Sequence, residues 1–117
     1  MEPKIKRKFR AFAVALAAAE SGAAAIRFDD AAGGAIATGT VATNVTTLVV
    51  WASDSPTGTF APLRKSDGSA VELTLSPSTT QGRVYSLPDE CYPAGAIKLV
   101  ANHTAVSGAS CTVMLKG

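Results

Sequence analysis

The sequence predicts an all-β domain: an antiparallel β-sandwich, jelly-roll-like, with an extended basic N-terminal arm. Three observations predict it. Short β-branched and aromatic stretches recur at close spacing, separated by clusters of Gly, Pro, Asp and Ser. After the first twenty residues no apolar pattern of helical period is long enough to specify a helix. The composition is 47% hydrophobic but only 17% charged and 6% aromatic, so apolar content is carried by small side chains. The 117 residues suit one domain, since domains usually run from about 50 to 250 residues. We divide the chain into a basic arm, residues 1–10, and a single sandwich domain, residues 11–117.

The chain opens MEPKIKRKFRAFAVALAAAESGAAA. The first ten residues carry five cations and one anion in a chain of net charge +2, so residues 11–117 sum to −2. A charged start, a short apolar run and small residues are also the outline of a secretory signal peptide. Periodicity favours a strand. Phe12, Val14 and Leu16 fall on one face, and Ala11, Ala13, Ala15 and Ala17 on the other, a period of two that sets large against small. A helical stripe of Phe9, Phe12, Ala13 and Leu16 also exists, but everything that follows reads as β.

Glu20-Ser21-Gly22 reads as a turn. Residues 23–28 form a strand with Ile26 and Phe28 on one face. Asp29-Asp30 and Gly33-Gly34 mark a loop, and residues 35–41 an extended segment. TTLVVWA, residues 46–52, is the strongest strand, continuous enough to be central. Both of its faces are apolar, which predicts cover on both sides and makes Trp51 a core anchor or part of a subunit contact. DSPTG, residues 54–58, is a turn, residues 59–63 return as a strand, and Asp67-Gly68 is a hairpin-type turn. Val71, Leu73 and Leu75 alternate with Glu72 and Thr74 as a half-buried strand. Residues 83–87, 96–102 and 111–115 complete about eight strands, with turns at residues 88–90 and 92–95.

Catalytic chemistry is sparse. His103, the one histidine, sits in a predicted turn, and no His or Cys spacing supports a zinc site. Cys91 with His103 would make a nucleophile–base pair but has no motif around it. Asp29-Asp30 and Asp89-Glu90 read as solvated loops. There is no GxSxG, HExxH or Walker pattern, and Gly33-Gly34 lacks the strand–turn–helix setting of a phosphate loop. The expectation is a protein that is not an enzyme and takes no cofactor or metal. Two cysteines, Cys91 and Cys111, are too few for a disulfide scaffold; they would either pair across adjacent strands or stand as buried free thiols, and the latter is favoured because nothing else demands an oxidising compartment. No stretch is long and apolar enough for a membrane helix, which takes about 20 residues. Five cations without a base-reading module offer no specific nucleic-acid recognition.

The string TTLVVWASDSPTGTFAPLRKSDGSAVELTL, with RVYSLPDECYPAGAIKLVAN and TVMLKG after it, resembles small β-sandwich structural proteins of tailed bacteriophages and prophages. In them an apolar strand leads into a turn like SDSPTGTF, then a hairpin like PLRKSDG, then a Val/Thr-rich strand. The resemblance spans residues 46–117 and rests on turns. The SDSPTGTF turn is also similar to turns in immunoglobulin-like and fibronectin-like sandwiches, which speaks for fold alone.

The resemblance implies a virion structural protein, a capsid decoration (cement) protein of a bacteriophage head or a tail or adaptor component. Its partners would be the major capsid protein and further copies of itself, trimers among the expected oligomers, on a capsid assembled in the host cytoplasm. The arm residues Lys4, Lys6, Arg7, Lys8 and Arg10 would meet an acidic patch on the capsid protein, with Ile5 and Phe9 as apolar anchors. The alternative is a carbohydrate-binding or adhesin-type module using Trp51, Tyr85 or Tyr92 as stacking platforms.

Overall fold

A computed structural model describes residues 9–15, 17–38, 46–76, 82–102 and 110–117. Nine strands form two antiparallel sheets: β1 (Phe9–Ala15), β2 (Ile26–Arg27), β3 (Gly33–Thr38), β4 (Thr47–Ser53), β5 (Ala61–Pro62), β6 (Glu72–Thr74), β7 (Arg83–Ser86), β8 (Ala96–Ala101) and β9 (Ser110–Lys116). Sheet A has the order β1-β9-β3-β7, and sheet B the order β2-β8-β4-β5, with β6 also on β4. Two single-turn 3-10 helices, Glu20–Gly22 and Asp89–Cys91, join strands. The expected sandwich is the architecture observed.

Alternation explains the layers. In sheet A, Ile36 pairs with Val113, and Val14 with Cys111. In sheet B, Leu48 pairs with Ala101, and Val50 with Leu99. All eight side chains are buried in one cluster between the sheets. Their neighbours in sequence turn outward, as a period of two requires. Ile26 and Phe28 share the inner side as expected, each 1% exposed. Half of these paired inner residues are β-branched, and their restricted rotamers lose little on packing.

One strand ties the sheets at a corner. Ala15 pairs with Ser110 in sheet A, whereas Ala17 bridges Val100 of sheet B in parallel. The Ala17 carbonyl accepts from the Ala101 amide at 2.7 Å. The chain therefore belongs to sheet A at Ala15 and to sheet B at Ala17. At the opposite end, the Gly95 amide donates to the Ser53 carbonyl, and its own carbonyl accepts from Phe28. A Cβ at Gly95 would collide with the Asp54 carbonyl, so this contact between turns requires glycine.

Three expectations change. Gly33 and Gly34 belong to β3, not to a loop. A Cβ at Gly34 would lie 2.8 Å from Leu115 Cδ2 and 2.9 Å from Leu87 Cδ1, so the two leucines fill the space a side chain would take. Trp51 is not a core anchor. Leu48 and Val50 face inward, and Trp51 lies half-buried on the outer face of sheet B, between Pro62 and Lys98 of the neighbouring strands. Hydrophobicity on both faces of β4 did not mean cover on both faces. Finally, Phe9 and Arg10 are not part of an arm, because β1 begins at Phe9; Met1 to Lys8 lie outside the described residues.

Truncating Ile36 or Leu48 to alanine is expected to cost about 2–5 kcal/mol, because each leaves a cavity in a closed core. Ala13→Ser, on the exposed side of β1, is expected to stay within about 0.5 kcal/mol. Urea unfolding midpoints at constant slope check both.

Candidate partner-binding surface

The outward side chains of sheet A form rows across its strands. Phe9, Lys116 and Gly33 make one row; Ala11, Met114, Ala35 and Ser86 the next; Ala13, Thr112, Ala37 and Val84 a third. Lys116 is the one charged side chain in these rows. Two large hydrophobic residues are exposed among the described residues, Phe9 at 59% and Val84 at 66%. Both lie on this face, on its two edge strands. From strand spacing and rise, the face covers on the order of 400 Å², a size at which exposed apolar patches on soluble proteins are often functional. An open hollow of about 350 Å³ runs beside Phe9, floored by Gly33, Gly34, Ala35 and Met114.

The outer face of sheet B differs. Lys98 stands there with its Nζ 2.9 Å from Glu20 Oε1 and 4.7 Å from the Phe60 ring centroid. Arg27 and Glu72 add exposed charge. The two faces of the sandwich are therefore chemically unlike.

The residues expected to bind a partner are divided by the structure. Lys4, Ile5, Lys6, Arg7 and Lys8 lie outside the described residues. Phe9 is exposed on the outer face of β1. Arg10 points the other way: its Nη2 donates to Asp30 Oδ1 at 2.7 Å and to the Arg27 carbonyl at 2.6 Å. Through Nη2 its guanidinium fastens β1 to the chain between β2 and β3. Asp29 is likewise engaged, 2.7 Å from Arg27 Nε, and this hydrogen bond holds its carboxyl below the usual carboxylate range. Asp29 and Asp30 thus serve as anchors for arginines. No cluster of three metal-ligating side chains occurs among the described residues.

The cysteines are free and buried. Desolvation raises the Cys91 thiol to about 12, with the Glu90 charge adding to it, and the Cys111 thiol to about 11. A thiol held protonated this firmly is a poor nucleophile at neutral pH, which weighs against the Cys91–His103 pairing; His103 itself lies outside the described residues. Tyr92 stacks on Phe28 at 5.6 Å between centroids and Tyr85 Oη accepts from the Ser76 amide at 2.8 Å. Both tyrosines are part of the packing at the core's margin. No helix among the described residues is long and apolar enough to cross a membrane.

Sequence reasoning found the alanine side of β1 but not the face it belongs to. Ala35, Ala37, Thr112 and Met114 join it only through the β1-β9-β3 pairing, which no local pattern announces. Comparison with protein-family models, curated proteins and solved structures returns no match.

Two outcomes are expected for the thiols. Native protein will not react with a thiol reagent at neutral pH, and both cysteines will react on unfolding. Stability will fall as pH rises above about 9, the unfolded thiol value, towards 11, because the unfolded chain releases its thiol protons while the folded chain holds them. Urea midpoints between pH 8 and 10 measure this, and Cys91→Ala with Cys111→Ala should flatten the slope.

Proposed function

We propose that the protein is a non-enzymatic structural component of a bacteriophage particle, a capsid decoration (cement) protein that docks through the outer face of sheet A and the basic segment leading into it. The observation that carries this reading is the nearly uncharged outer face of sheet A, with both exposed large hydrophobic residues on it. A surface so poor in charge gains little from facing water and loses little on being covered. The likeness of residues 46–117 to phage structural proteins supports the same reading. Lys4, Lys6, Arg7 and Lys8 precede β1 directly and supply the electrostatic half, steering attachment to an acidic capsid surface. Arg10 drops out of this set because Asp30 holds it. Weak contacts suffice when many copies are held on one lattice.

A second reading has one observation behind it. Trp51 lies half-buried on the outer face of sheet B rather than in the core, where it would serve a carbohydrate-binding module as a stacking platform. Quenching and a blue shift of tryptophan fluorescence on titration with glycans would favour it.

Sedimentation of a source lysate with mass spectrometry tests the particle reading. The protein is expected with intact heads at high copy. Recovery with tails would redirect the assignment to a tail or adaptor component, and recovery as a free small species would overturn it. Deleting residues 1–8 should leave the fold intact and abolish binding to heads, and in the full chain binding should weaken as salt rises.

A further inference from the structure

We infer that strand β1 pairs with β1 of a second copy, antiparallel across a two-fold axis at Phe12, joining two A sheets into one. Among the described residues β1 pairs with β9 on one side and with no strand on the other. Sheet edges carry unpaired N–H and C=O groups, and proteins usually blunt them with short strands, proline or projecting charge. The other edges here are short: β7 has four residues, and β2 and β5 have two each. β1 has seven, FRAFAVA, with no proline. Its single charge is turned inward and held by Asp30 and the Arg27 carbonyl.

The strand is self-complementary in the one register that uses all of it. Full antiparallel overlap places Phe9 opposite Ala15 of the second copy, Arg10 opposite Val14, Ala11 opposite Ala13, and Phe12 opposite itself. This register keeps inward residues beside inward residues and outward beside outward, whereas a slip of one residue would mismatch every face. The inward row then meets a need visible in the monomer. Phe12 packs against the core yet stays partly exposed, with the Arg10 guanidinium 6.0 Å from its ring centroid. The Phe12 of the second copy would cover its open side, and aromatic pairs are favourable across strands. In the outward row, Ala11 opposite Ala13 brings no bulk and no charge into conflict. A different partner would need to bring an edge of matching alternation; a second copy carries it by construction. The inference does not depend on the particle reading and is testable on the isolated full chain.

Light scattering behind size exclusion, over micromolar to near-millimolar concentration, should show the mass rising from 11.9 kDa towards twice that value. Ala11→Lys with Ala13→Lys sets like charges opposite one another twice across the axis and should weaken the dimer about tenfold or more. Ala11→Lys with Ala13→Glu sets opposite charges at the same two places and should restore it. All four substituted side chains are outward and exposed, and unchanged urea midpoints for the monomers would confirm that folding is untouched. A chain that stays monomeric throughout overturns the inference. So does a dimer indifferent to both charge combinations, or one weakened equally by both.

Discussion

Burial of Ile36 and Val113 against Leu48, Val50, Ile97 and Leu99 is the constraint on which the molecule depends. Each of these side chains is at most 2% exposed, and together they close the space between the sheets. A chain of this length has only one such core. Its strands must therefore present their large residues to that single space and leave whatever alternates with them outside. The chemistry of both outer faces follows from the residues left over.

The leftovers differ because the sequence differs. In β1, β3 and β9 the residues between core positions are alanine, glycine, threonine and methionine. In β4 and β8 they are Val49, Trp51, Lys98 and Val100. Sheet B carries charge on its outer side and binds part of it internally through Lys98 and Glu20. Sheet A carries almost none. The 3-10 turn at Glu20–Gly22 reaches Lys98 because the chain leaves sheet A between Ala15 and Ala17, so the same crossing that couples the sheets also shields a lysine on one of them.

Much of this order is legible in the sequence, and the parts that are not have physical reasons. The alternation of Phe12 and Val14 with alanines predicts β1, and the apolar run at residues 46–52 predicts β4, because each pattern is local. Turns at residues 54–58 and 67–68 are legible for the same reason: Asp67 accepts from the Ser69 amide within its own turn. Gly33 and Gly34 mislead, since their place in β3 is set by Leu87 and Leu115, which are distant in sequence. Trp51 misleads because a strand with two apolar faces does not say which of them the second sheet will cover. Arg10 misleads because its partner, Asp30, is brought near only by β1 and β2 lying on opposite sheets at the same edge.

The arginine has a wider consequence. Counted by sequence, it is the last of a run of five cations, and the natural assignment is to a free basic arm. In the fold it is an inward residue of a strand whose alternate positions are Phe12 and Val14, so its side chain, 33% exposed, is placed to meet an acceptor. Asp30 and the Arg27 carbonyl provide one, at hydrogen-bond distance. The last cation is therefore engaged within the fold where the sheet begins, and Phe9, one residue earlier and on the opposite face, is 59% exposed. On the proposed docking through sheet A, the apolar side chains of the face would supply hold, with Lys116 the one cation among them.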